Sequence, residues 1–158
     1  MMKKILCLCL MALSLLACNK KEETSLTTTN PYNEAVSGTC ELCSAPDWTV
    51  ATDQTLSQMG IIIDQYGVPT RMQEGDLIGA FVGESCRGRA EAFLDSEGKW
   101  RINLTVHAVS TDADLSKMQV VLKYYSTREK GMYTSQPIAY EDDAILGTNL
   151  KGYVPAWK

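Results

Sequence analysis

Trp100-Arg101-Ile102-Asn103-Leu104-Thr105-Val106-His107-Ala108 places an apolar residue at every second position, the alternation required of a strand with one buried face. Trp100, Ile102, Leu104, Val106 and Ala108 belong to the core side of such a strand, and His107 lies on the opposite side, where solvent exposure is the ordinary outcome. Outward from this stretch, Met118-Gln119-Val120-Val121-Leu122-Lys123-Tyr124-Tyr125 repeats the pattern less strictly. Leu77 to Val82 and Ala90 to Leu94 are short apolar runs. Met59 to Asp64 carries three consecutive Ile residues, whose β-branches favour a pleated surface. Helical spacing is nowhere convincing. Tyr66-Gly67-Val68-Pro69, Glu74-Gly75-Asp76, Asp95-Ser96-Glu97-Gly98 and Gly147-Thr148-Asn149 are turn signals, spaced as in a series of antiparallel hairpins. The reading predicts an all-β fold, a single antiparallel β-sandwich of about seven to nine strands, Ig-like or jelly-roll-like.

The composition fits one globular domain: 158 residues, 45% apolar and 22% charged. With 15 basic against 19 acidic side chains and a pI near 5.0, the chain lacks the clustered cationic excess that nucleic-acid binding needs.

The N-terminus reads as an address. Lys3 and Lys4 precede an apolar run from Ile5 to Leu16, too short to span about 30 Å of hydrocarbon as a stable anchor, and Ala17 is small. Leu15-Leu16-Ala17-Cys18 resembles the lipobox of bacterial lipoproteins, with Leu16 a less common residue at its place. The resemblance implies cleavage of a signal peptide, residues 1–17, and a lipid on Cys18. Its acyl chains, at about 0.8 kcal/mol per buried methylene, hold a protein on a membrane without a transmembrane helix. An ordinary secretory signal cut elsewhere is the plainer alternative. Asn19-Lys20-Lys21-Glu22-Glu23 resembles the surface-export signal of Bacteroidetes lipoproteins, which implies an outer-membrane protein facing the cell exterior; the bland alternative is a solvated charged start to a tether. Without residues 1–17 the chain keeps 13 basic and 19 acidic side chains, a charge of -6. Residues 18–45, rich in Ser, Thr and Asn, read as a lipidated flexible tether, and 46–158 as the sandwich.

Gly75-Asp76-Leu77-Ile78-Gly79-Ala80-Phe81-Val82-Gly83-Glu84-Ser85-Cys86-Arg87-Gly88-Arg89-Ala90 resembles a β-sandwich module that recurs in secreted proteins and lipoproteins of Bacteroidetes, marked by a Gly-Asp, an Ile-Gly-Ala-Phe-Val-Gly strand and a Cys-Arg-Gly. The likeness covers roughly residues 46 to 150. It implies the fold and no catalytic role. From the residues themselves, Gly79 and Gly83 relieve crowding in or beside a strand, and Gly88 permits a bulge or a close backbone approach. A phosphate-cradling loop needs a Lys-Ser or Lys-Thr and a following helix, which are missing. Arg87 and Arg89, if strand-like, share a face and could engage an acidic ligand; the simpler expectation pairs them with carboxylates such as Glu84 or Glu91.

Cys7 and Cys9 leave with the signal and Cys18 takes the lipid, so Cys40, Cys43 and Cys86 remain as disulfide candidates, an odd number for an exported protein. A Cys40–Cys86 or Cys43–Cys86 bond would pin the tether to the Cys-Arg-Gly strand and stabilise the fold by about 4 kcal/mol in the chain-entropy model. Thiol exchange at Cys40 and Cys43, and a Cys3His zinc site with Cys86 and His107, are weaker alternatives, and no metal or cofactor is expected. No Gly-x-Ser-x-Gly elbow or His-Glu-x-x-His pair is present. Glu141-Asp142-Asp143 beside Tyr140 reads as an acidic turn at a strand end, with a carboxylate pair for glycoside cleavage as the alternative. Asp112 and Asp114 are a thin cage for calcium, which takes about six to eight oxygens. The chain is therefore expected not to be an enzyme.

The aromatic residues supply the binding hypothesis, because flat apolar rings with polar rims suit sugars. Trp100 shares the apolar phase of its strand, and Tyr124 and Tyr125 point to opposite faces. Trp48, Trp157, Tyr125, Arg87 and Arg89 are the candidate ligand-binding residues. The functional expectation is a non-catalytic surface lipoprotein that binds an extracellular glycan. The alternative is a protein-interaction or envelope-structural module.

Overall fold

The computed structural model of the chain describes residues 43–52, 55–112 and 114–158, together with the backbone of two strands nearer the N-terminus. Those two, β1 (Thr27–Asn30) and β2 (Asn33–Ser37), pair antiparallel as a separate ribbon inside the stretch read as a tether. The signal segment, Cys18, the Asn19–Glu23 charge run and Cys40 lie outside the described residues.

Residues 55–146 supply the strands β3 (Thr55–Asp64), β4 (Leu77–Val82), β5 (Ser85–Glu91), β6 (Phe93–Leu94), β7 (Trp100–Val109), β8 (Gln119–Ser126), β9 (Gly131–Thr134), β10 (Ile138–Ala139) and β11 (Ile145–Leu146). They form two packed sheets, a β-sandwich. One runs β10-β8-β4-β5, with β9 continuing the pairing of β8, and the other runs β11-β3-β7-β6. All neighbours are antiparallel except β11, which lies parallel to β3. Among the described residues the only helical piece is a 3-10 turn, Leu115–Lys117, capped by the Asp114 side chain, which accepts from Ser116 N.

The alternation in Trp100–Ala108 places Ile102, Leu104, Val106 and Ala108 in the core, as expected, while Trp100 at the strand end is half-buried. Met59, Ile61 and Ile63 of β3 pack beside them. Ile78 and Ala80 of β4 and Val120, Leu122 and Tyr124 of β8 come from the opposite sheet. At about 1.5 to 3 kcal/mol for each fully buried large side chain, this interior is the main support of the fold.

Two polar devices join the sheets' connections. Asp76, fully buried in the turn before β4, accepts from Gln73 N, Thr127 N, Thr127 Oγ1 and Tyr124 Oη, so one carboxylate holds the approach to β4 against the end of β8. Burial and the neighbouring Asp76 push the Tyr124 hydroxyl well above its ordinary pKa, so the ring stays a donor to that carboxylate. The C-terminal segment closes the side of the sandwich opposite β5: Tyr153 N donates to Ile62 O and Lys158 N to Thr134 O, reaching both sheets. Trp157 is buried there, its Nε1 donating to Gly67 O at 2.9 Å and its ring 6.0 Å from that of Tyr124.

At the β5 side the sheets approach most closely. The register of β4 and β5 shifts between Ala80 opposite Gly88 and Phe81 opposite Cys86, which leaves Arg87 as the extra residue of a bulge. A Cβ on Gly88 would stand 2.0 Å from Thr105 O of β7, so only glycine admits this contact.

A strapped face and an open face

The bulge decides the fate of the two arginines. Arg87 turns inward and is buried, with Nη1 and Nη2 donating to Asp112 Oδ2 and Oδ1, both at 2.9 Å, and Nε donating to Ser85 Oγ at 3.1 Å. Asp112 also accepts from Val109 N at 2.7 Å, so the pair fastens β5 to the loop after β7. Arg89 stays exposed. The two therefore do not share a face, because the extra residue interrupts the period of two, and Arg87 is a structural partner of Asp112 in place of Glu84 or Glu91.

The outer face of the β10-β8-β4-β5 sheet carries Leu77, Gly79 and Phe81 of β4, Val121, Lys123 and Tyr125 of β8, and Cys86, Arg89 and Glu91 of β5, by their register. A strap formed by residues 43–51 crosses it. Cys43 N donates to Lys130 O at 2.7 Å, Tyr125 Oη donates to Cys43 O at 3.1 Å, and Ala51 N donates to Cys86 O at 2.8 Å. Between these ends Trp48 stands edge-on to Phe81, centroids 5.5 Å apart, over the hollow left by Gly79, where a Cβ would meet Trp48 Cε3 at 2.7 Å. Lys123 Nζ sits 4.3 Å from the centroid of the Phe81 ring. β4 is consequently buried on both faces over Leu77–Phe81.

This arrangement corrects several expectations. Trp157 is a core residue and no platform, because its ring fills the space beside Tyr124. Tyr125 does point outward, opposite Tyr124, but the strap buries it. Trp48 is half-buried, holding down the strap. Cys86 is free and buried, and Cys43 is disulfide-bonded, so the pin from Cys40 or Cys43 to Cys86 is not formed. Backbone hydrogen bonds and Trp48 fasten the segment instead. Burial pushes the Cys86 thiol up, against smaller opposing effects that include Arg89 and Lys123, so it is a poor nucleophile in place. A disulfide-bonded Cys43 cannot ligate zinc with it, and no three His, Cys, Asp or Glu side chains among the described residues are grouped to hold a metal ion.

The opposite outer face, on β11-β3-β7-β6, carries no strap among the described residues. Its rows run Gln58 beside His107, Gly60 beside Thr105, Ile62 beside Asn103, and Asp64 beside Arg101, with Ile145 next to Gly60 and Phe93 next to Arg101. Gln58, Asn103 and Thr105 are exposed. His107 Nδ1 is shielded and has no hydrogen-bond partner among the described residues. At the far end Arg101 is tied to Asp95, whose carboxyl the Arg101 hydrogen bond holds down to about 2, with help from the Lys99 and Glu97 N–H groups. Asp64 accepts from Tyr66 N and Gly152 N, at 3.0 and 2.9 Å. The row therefore ends on two exposed aromatic residues, Phe93 and Tyr66, 40% and 46% accessible. None of the polar residues at its centre was singled out as a binder; the polar phase of Trp100–Ala108 is the signal that places Asn103, Thr105 and His107 together.

Comparison with family models, with curated proteins and with solved structures finds no match for this chain. No helix among the described residues is long and apolar enough to cross a membrane.

Proposed function

We propose that the chain is a non-catalytic binding module of the secreted Bacteroidetes type, lipid-anchored through Cys18 in the outer membrane with its sandwich facing the exterior, and that it binds glycan. The observation that supports this most is the open β3–β7 face, a rigid sheet surface that combines exposed amides and hydroxyl groups with apolar and aromatic edges. Sugar rings present alternating hydroxyls and C–H faces, which such a surface matches. Three groups capable of chemistry are committed away from this face: Asp112 to Arg87, Asp76 to four donors, and Cys86 to a buried position on the strapped sheet.

A protein partner is the second reading, favoured by the exposed Leu56 and Ile145 near the β3–β11 edge and by Phe93 and Leu94 on the short edge strand β6. The two readings separate in one experiment. Full-length protein in detergent is screened on a glycan array with Asn103→Ala and Trp48→Ala variants alongside. Saturable binding lost in Asn103→Ala supports the glycan reading, and silence across the array with a specific crosslink on intact cells supports the other. The anchor is tested separately by metabolic labelling with palmitate, which the Cys18→Ser variant should lose, and by protease shaving of intact cells, which should remove the sandwich.

A further inference from the structure

We infer that the ligand of the open face is a neutral, linear glycan lying along β3 and β7. This rests on the glycan reading above and adds its charge and its shape.

The shape follows from the register. Four consecutive rows, from Gln58 and His107 to Asp64 and Arg101, extend about 20 Å at about 3.4 Å per residue. Cross-strand neighbours stand only about 4.5 to 5.5 Å apart, so the polar groups form a narrow track parallel to the strands. Gly60 keeps the floor of the track low, with Ile145 beside it, and Ile62 offers an apolar surface one row on. Such a track fits several sugar rings end to end better than a branched cluster.

The charge follows from the side chains. Gln58, Asn103 and Thr105 at the centre carry no charge and can both donate and accept, as hydroxyl groups require. His107 Nδ1, shielded beside Gln58, lacks a partner among the described residues. Arg101 is the only cation that the register places on this face among the described residues, and it is committed to Asp95. Both ends of the track are acidic. Asp64 closes one, and the exposed Glu141-Asp142-Asp143 run borders the other, where Asp143 N donates to Gln58 O at 3.1 Å. The whole chain carries -4. An anionic sugar polymer would meet repulsion at both ends and no free cation between them.

The test measures binding of full-length protein in detergent to neutral linear hexasaccharides of glucose and of mannose, and to a galacturonic acid hexasaccharide. The expected result is saturable binding of a neutral hexamer, weakened about tenfold in Asn103→Ala, unchanged within about twofold in Trp48→Ala, with no binding of the acid. The exposed Asn103→Lys variant, which places a cation in the track, should gain affinity for the acidic hexamer. Tighter binding of the acidic hexamer by the unaltered protein, lost in Asn103→Ala, would overturn the inference and leave the glycan reading standing. Binding of no hexamer, or loss in Trp48→Ala alone, overturns both.

Discussion

The two outer faces of the sandwich start from similar strands and end in opposite conditions. On β4, β8 and β5 the outward residues include Phe81, Tyr125 and Cys86, which are apolar, and the chain lays its own residues 43–51 over them. On β3 and β7 they include Gln58, Asn103 and Thr105, which are exposed, and His107, which is half-buried, and no strap among the described residues crosses them. The difference follows from what each face would cost in water: exposed aromatic rings favour burial at about 25 cal/mol per Å² of apolar surface, while amides and hydroxyls are already solvated. Covering a face with a segment of the same chain removes it as a binding surface and turns it into core. A face left bare keeps its hydrogen-bonding capacity for a partner.

That contrast can be broken at its joint. Arg87→Ala leaves Asp112 without its ion pair beside the β5 bulge, and should lower unfolding free energy by about 3 to 5 kcal/mol in denaturant titration. Replacing both, as Arg87→Met with Asp112→Leu, should recover much of the loss, since the cost is the stranded charge and not the absent bond. Gly79→Val comes next. Its new Cβ collides with Trp48 and Phe81, and the strap must lift or the sheet must strain, at about 1 to 3 kcal/mol. In that variant Trp48 fluorescence should shift to the red and Cys86 should react with a thiol reagent many times faster than in the unaltered protein. Unchanged reactivity would mean that something other than the strap shields the thiol.

How much of this the sequence disclosed differs between the faces. The alternation in Trp100–Ala108 predicts β7 and its buried side, and Gly88 reads as permitting a bulge or a close backbone approach; the close approach is at Gly88 and the extra residue of the bulge is its neighbour Arg87. The strap was not anticipated. Residues 43–51 have no periodicity, and their placement depends on contacts with β4, β5 and β8 that lie far along the chain. Yet Leu77–Val82 holds a hint, because a continuous apolar run, unlike an alternating one, marks a strand buried on both sides. Tyr125 and Trp157 were misplaced for related reasons: the strap lies over Tyr125, and the C-terminal segment carries Trp157 into the core, and no local pattern encodes the course of either segment. Arg87 was misplaced because a bulge adds one residue and reverses the face of everything before it.

On the open face the expected stability effects are small, which sharpens the comparison from the other side. Asn103→Ala and Thr105→Ala should each change unfolding free energy by no more than about 0.5 kcal/mol, because both side chains stand in solvent. A larger loss would show that these residues support the fold. The smallest effect concerns acid. Asp95 is held near 2 by Arg101 while an unfolded aspartate titrates near about 3.9, so its contribution is complete above about pH 4 and is lost as pH falls toward 2. Asp95→Asn should lower stability at neutral pH, where the contribution is complete, and flatten the acid limb, so that the two profiles converge as pH falls toward 2.

The central claim is that the strapped face belongs to the fold and the bare face to the ligand. Amide shift mapping of full-length protein in detergent, titrated with a pool of neutral linear hexasaccharides, tests it most directly. The account predicts shifts at Gln58, Gly60, Asn103, Thr105 and His107 with Gly79, Phe81 and Lys123 unmoved. Shifts confined to Trp48 and the residues beneath it would contradict the account.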